Sequence, residues 1–537
     1  MTEAADLVIA GARIRTQDPS APIADAVAIR GDRIVAVGDA PEVRALCGPR
    51  TQELDGRGRV VVPGLIDAHC HPLWGARAMR DADLTGAADL DDALACLRAA
   101  AEDRPAGEWL VAHGLRREWF DDAPRGAVLD TALGGRPAFV SFLDGHGALA
   151  NRGALARAGV DGPRTFADAS EIVCDAAGVP TGELREPSAM EAVRAHIPPL
   201  SAQRRRELYR AQLDRMAALG LVAGHAMDDA PNDLADLAAL EASAELPVRL
   251  VVHIWLQPGM DDTQIEAAIA RAGAGGQRWR SGAVKFFLDG VIDQGTAWLG
   301  APDPLGRATA SNWPDPERYA EVVRRCVAAG LGCATHAIGD RAIRAALNAY
   351  GAAGARDPDQ PPCRVEHVEL CDPRDVPRFA TGGVIASMQP IHVGSVAGAP
   401  ATAWHGRLDA ERRGWGWSCA DLVAAGAVLA LGSDWPVANA DPRLGLAWAR
   451  RRRGPGQTGP GYREDQALDG EAALWGYTRG GALAAGDRHG GIITIGAPAD
   501  LTVFGGDPVA CAVDELVELP IVATIVAGTL TSAGPDA

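Results

Sequence analysis

VVVPGLIDAHCHP, residues 60–72, runs from an apolar stretch through a Pro-Gly break to two histidines one residue apart. Alternate residues of an extended chain point to the same side, so His69 and His71 can share a partner at the end of such a strand while Cys70 faces away. The simplest partner for two imidazoles is a metal ion.

Seven more apolar runs follow, each with a polar residue at or near its end: LGLVAGHAM, PVRLVVHIW, SGAVKFFLDG, GLGCATHAIGD, CRVEHVEL, GVIASMQP and GAVLALGSD. Helical patterns such as Ser201 to Leu219 and Pro316 to Ala329 separate most of them. Continuous apolar strands alternating with helices imply a parallel sheet, and eight such units predict a (β/α)₈ TIM barrel over residues 63–488. The segment from about Trp74 to Pro199 (74–199) is too long for one crossover helix and is expected to be an inserted subdomain or lid after the first barrel strand. Both chain ends are rich in short Val/Ile runs with Gly and Asp turns, LVIAGARI and AVAIRGDRIVAVG at one end, DLTVFGG and PIVATIVAGTLT at the other. Residues 1–62 and 489–537 are therefore expected to pair into a small, antiparallel β-sandwich domain.

With 537 residues, 47% of them hydrophobic, the chain can bury a large core. A net charge of -18 and a pI near 5.1 argue against a nucleic-acid partner, which would want a basic surface. The one arginine run, Arg450 to Arg453, reads as a solvated loop. Ten cysteines without a C-x-x-C pair fit a reducing compartment and buried thiols. The acidic N-terminus has no signal-peptide pattern, and nowhere do 18 apolar residues run together. These features lead us to expect a cytoplasmic protein acting on a small molecule, with no membrane partner, and they leave a homodimer open. No strand is followed by a phosphate-binding glycine motif, which argues against a nucleotide-binding enzyme.

In a barrel the chemistry sits at the C-terminal ends of the strands. Those ends carry His69 and His71, Lys285, His336, His367 and Asp434. Imidazoles with a carboxylate suit Zn²⁺ or a similar divalent ion. Lys285 is the odd member, because an ammonium has no lone pair. It either pairs with Asp289 or Asp293 or, if burial makes the amine neutral, adds carbon dioxide to become an anionic carbamate.

This order of H-x-H, Lys, His, His and Asp resembles the amidohydrolase superfamily. VKFFLDG, HAIGDRA, RVEHVE, SMQP and GSDWPV, with DGH at 144–146 and PTGELRE at 180–186, resemble its amidohydrolase-3 branch, which includes N-substituted formamide deformylases. The resemblance implies a first metal on His69, His71 and Asp434, a second on His336 and His367, and a carboxylated Lys285 bridging them, with one or two divalent ions per chain, Zn²⁺ foremost. It implies hydrolysis of a C–N amide-type bond by a metal-bound hydroxide, with Asp434 moving the proton and Lys285 counted with it as catalytic. His146, Asn151, Glu186, Gln389 and His392 are the substrate-binding candidates. The stretch IHVGSVAGAP lacks the acidic residue expected there, and Gly147 replaces a usual Ser; both departures bear on substrate. A deaminase of the same superfamily and an inert barrel used for binding are the alternatives.

Overall fold

The structure is a computed structural model and describes residues 3–534 except 79–81, 103, 104, 106, 355, 356, 358, 359 and 395–401. The IHVGSVAGAP departure thus falls largely outside the described residues.

Eight strands form one parallel sheet in chain order: β1 (Leu65–Cys70), β2 (Leu221–Ala226), β3 (Arg249–Trp255), β4 (Trp279–Phe287), β5 (Gly332–Ala337), β6 (Arg364–His367), β7 (Ile385–Met388) and β8 (Leu429–Leu431). These are the eight apolar runs of the sequence. Helices between them pack apolar faces inward. Pro316–Ala328 starts on Asp315, whose carboxylate accepts from the Glu317 N–H, and buries Tyr319, Val322, Val323, Cys326 and Val327. The architecture is a (β/α)₈ barrel.

The last and first strands meet through a clamp rather than a ladder. The Asp434 N–H donates to the His69 carbonyl at 2.7 Å, and the His71 N–H to that of Trp435 at 2.8 Å. Asp67, on β1, accepts from the Ser433 N–H at 3.0 Å and the Ser433 hydroxyl at 2.5 Å. Gly432 makes the approach feasible, since a Cβ there would lie 2.5 Å from the His69 backbone nitrogen.

The run VVVPGLID is not one strand. It divides at Gly64, where a Cβ would lie 2.3 Å from a Val222 methyl. Val60–Pro63 joins the terminal sheet and only Leu65 onward enters the barrel. The terminal strands form a single eight-stranded sheet drawn from both chain ends, with Val60–Pro63 antiparallel to Leu501–Phe504. It is mixed rather than antiparallel, because Leu7–Arg15 pairs parallel with both Gln52–Asp55 and Val60–Pro63. The short helix Ala40–Arg44 lies in the return path that lets the chain re-enter in the same direction. One face buries Ile9, Ile14, Val27, Val61, Leu501 and Ile525 together, and the other packs Val8, Ala10, Ala26 and Ala28 against Val43 of that helix.

Residues 74–209 with 310–314 form a compact unit of their own, built on a six-stranded sheet with its own apolar clusters; the remainder, terminal sheet included, forms the other. The arginine run is not a solvated loop. Arg450 and Arg451 end the helix Pro442–Arg451, and Arg452 caps it with a fully buried side chain. Among the described residues no helix is long and apolar enough to cross a membrane.

Candidate metal centre

His69 and His71 emerge from β1 on one side of the chain, and Cys70 points the other way, its thiol against the His225 carbonyl at 3.6 Å. Each imidazole is aimed by its second nitrogen. His69 Nδ1 lies 2.6 Å from Glu366 Oε2, and His71 Nδ1 lies 3.2 Å from Asp228 Oδ1. A carboxylate acceptor keeps the proton on Nδ1 and leaves the lone pair on Nε2. Both Nε2 atoms face Asp434 Oδ1, at 3.4 and 3.3 Å. Among the described residues, neither buried His69 Nε2 nor buried Asp434 Oδ1 has a hydrogen-bond partner.

Glu366 is itself pinned from below. Burial alone would raise its pKa, but the Arg364 guanidinium, with the Lys285 charge, holds it down to about 2. Arg364 also donates to Ser387 Oγ at 2.8 Å and to the Ala68 carbonyl, tying β6 to β7 and β1 beneath the histidines.

Asp434 Oδ2 faces a second pair: His367 Nδ1 at 4.0 Å and His392 Nε2 at 3.8 Å. The His336 ring sits 4.5 Å from that of His367, centroid to centroid, and its Nε2 lies 3.1 Å from the Gly290 carbonyl, which places the lone pair on Nδ1. Lys285, two residues before the end of β4, is fully buried. Burial lowers its pKa to about 8 against the pull of Glu366 and Asp434. Asp289, the ion-pair alternative for that lysine, instead accepts from the backbone N–H groups of Trp298, Ile338 and Gly339. His367 and Asp434 both hold positive φ, +70° and +59°, which is costly for side chains with a Cβ and recurs at functional sites.

The donors fit a divalent cation. Ligands at about 2.0–2.2 Å around a tetrahedral ion stand about 3.3–3.6 Å apart, and the His69, His71 and Asp434 atoms already stand at 3.3 and 3.4 Å. Burial, reinforced by the Lys285 charge, holds His69 well below the usual imidazole range, so it is a neutral donor. Burial also works against a charged His71, but the carboxylates of Asp228 and Asp434 beside it push it up to about 9. That proton occupies the place a cation between the same carboxylates would take. Asp434, despite burial, is kept well below the ordinary carboxyl range by His69, His71 and His392. Two trios, His69–His71–Asp434 and His367–His392–Asp434, bring their ligand atoms within 4.8 Å of one another.

The amidohydrolase family model matches residues 52–531. The chain belongs to the amidohydrolase family. This amidohydrolase is 29% identical over 93% of its length to Protein LONG AFTER FAR-RED 3 of Arabidopsis thaliana, of which it covers 87%. It is 28% identical to N-substituted formamide deformylase of Arthrobacter pascens over 99% of both chains. Among solved structures, an uncharacterized metal-dependent hydrolase from Pyrococcus horikoshii OT3 shares the fold with a TM-score of 0.74 at 23% identity, over 94% of this chain and 99% of that one.

The substrate-binding expectations for this amidohydrolase divide. Gln389, just beyond β7, is buried, and among the described residues neither its amide oxygen nor its nitrogen is hydrogen-bonded. His392 faces Asp434, in the ligand cluster rather than apart from it. In the inserted unit, His146 Nδ1 lies 3.0 Å from Glu186 Oε2, and Glu186 is buried at φ +64° with Oε1 lacking a partner. Asn151 does not belong with them. Its Oδ1 accepts from the Ala138 and Ala154 N–H groups and its Nδ2 donates to the Arg136 carbonyl, so the side chain caps the helix Arg152–Arg157 and ties it to the neighbouring strand. Glu366, Arg364 and Asp228 were missed in the sequence. The signal was there for the first two, since RVEH puts two opposite charges at alternate positions of a strand buried throughout.

Proposed function

We propose that this amidohydrolase is a metal-dependent hydrolase of a C–N amide-type bond in a small molecule: an N-formyl or N-acyl amine or a cyclic amide. The observation that carries the reading is the orphaned, buried pair His69 Nε2 and Asp434 Oδ1, backed by carboxylates that fix the imidazole tautomers. The full-length likeness to an N-substituted formamide deformylase supports the choice of bond.

His69, His71 and Asp434 would hold one ion, and His336 and His367, with Lys285 beside them, a second. When bound, a divalent cation such as Zn²⁺ supplies a Lewis acid that polarises a carbonyl and makes water acidic near neutral pH. Burial favours the neutral amine of Lys285, the form that adds carbon dioxide and becomes an anionic ligand. Asp434 reaches both ligand pairs and accepts a proton at a carboxylate oxygen, then returns it to the departing nitrogen. Gln389 offers one donor and one acceptor, the complement of an amide.

The test is to incubate metal-loaded protein with N-formyl amines, N-acyl amino acids and cyclic amides, following amine release, and with aminated heterocycles, following ammonia. Release of an amine from one of the first three is expected. Ammonia alone would make the protein a deaminase, and metal-loaded protein inert on all of them would favour a binding barrel.

A further inference from the structure

Resting on the metal-dependent reading, we infer that His392 is a metal ligand, completing with His367 a subsite on the Oδ2 side of Asp434. The family resemblance implies two imidazoles, His336 and His367, for a second ion. The folded chain adds a third, from the turn after β7.

The Gln389 carbonyl accepts from the His392 N–H at 3.1 Å, so the chain bends sharply after β7 and carries the ring back to the barrel mouth. There the ring stacks on His367, with centroids 6.2 Å apart and planes 17° from parallel. The stacking aims one nitrogen of each ring at one oxygen, Asp434 Oδ2. His392 Nε2 is buried, and at 3.8 Å it is too far from that oxygen for a hydrogen bond. Among the described residues Nε2 has no other hydrogen-bond partner, and the ring's remaining polar contact is with the Ser433 backbone. A buried ring nitrogen with nothing to donate to or accept from is unfavourable unless something fills the gap. A group that could satisfy His392 Nε2, His367 Nδ1 and Asp434 Oδ2 together must accept two imidazole lone pairs and balance a carboxylate. A divalent cation does all three.

A substrate contact is the rival role, and metal binding separates the two. Chelator-stripped wild type, His392→Asn and His392→Ala are titrated with Zn²⁺ by calorimetry and with Co²⁺ by visible absorption, which reports the ligand set directly. Circular dichroism verifies folding, and His392→Asn, closer in volume, serves if the alanine variant fails to fold. The assignment predicts that the variants lose more than about tenfold in affinity for the weaker equivalent and shift its cobalt bands, while the equivalent on His69 and His71 keeps its affinity. Unchanged affinities and cobalt spectrum, with only KM raised, would overturn it and make His392 a substrate contact. Wild type that takes up no metal at all would overturn the hydrolase reading itself, whereas failure of every amide substrate would leave the His392 assignment intact.

Discussion

His69 and its orienting carboxylate Glu366 are 297 positions apart in the chain and 2.6 Å apart in space. Second partners of this kind fix the tautomer and raise ligand basicity, so Glu366→Gln should weaken the tighter metal equivalent about 10- to 100-fold by calorimetry. It should also destabilise the fold, because Arg364 would be left as a buried cation without its carboxylate. Gln389 poses the opposite case. Its orphaned amide carries a desolvation cost in the resting protein. Gln389→Leu should raise stability by about 1 kcal/mol in denaturant unfolding and lower kcat/KM at least tenfold. A variant that is both less stable and fully active would show that the amide serves packing.

At the scale of elements, the decisive junction is where β8 meets β1. Gly432 owes its place to the 2.5 Å that a Cβ would leave to the His69 backbone nitrogen. Gly432→Ala should separate the two strands, costing about 2 kcal/mol or more in unfolding free energy and lowering metal affinity with it, because Asp434 and His69 are hydrogen-bonded through that junction. An alanine variant with wild-type metal affinity would mean that the clamp and the ligands move independently. The division of VVVPGLID at Gly64 belongs to the same scale. Apolar character alone cannot tell one long strand from two short ones in different sheets; the contact between Gly64 and Val222 decides it.

For the whole molecule, a metal that binds only the native state stabilises it by mass action. Removing the metal should lower Tm, and restoring it at a thousandfold excess over Kd should return about 4 kcal/mol. An unchanged Tm would mean that no native-state site exists. Acid should act independently through two histidines beneath the site. Arg364 Nη1 lies 2.6 Å from His225 Nδ1, and a guanidinium can only donate, so that nitrogen must be an acceptor and the ring neutral. Burial, with the Arg364 charge, pushes His253 down to about 3 and His225 well below its usual range. With folded pKa values below the unfolded value near 6.5, the unfolded chain takes up protons first as pH falls. Stability is thus full above pH ~6.5 and declines below it, for His253 by about 1.4 kcal/mol per pH unit down to pH about 3, with His225 adding to the decline. His253→Phe should flatten that decline by one proton in urea titrations at stepped pH.

By itself the sequence determined the barrel and the strand ends that meet at its mouth, because apolar strands alternating with helices admit few other folds and strand-end polar residues must converge once the sheet closes. It also carried the chemistry of the cluster, since residue type alone says that imidazoles and a carboxylate suit a cation. Only the tertiary structure decided how those donors are aimed: that Glu366 and Asp228 set the tautomers of His69 and His71, that His392 turns back onto Asp434, and that Asn151 is a helix cap. These depend on strand register and on turns between residues hundreds of positions apart, and no local pattern of amino acids encodes a distance across a barrel.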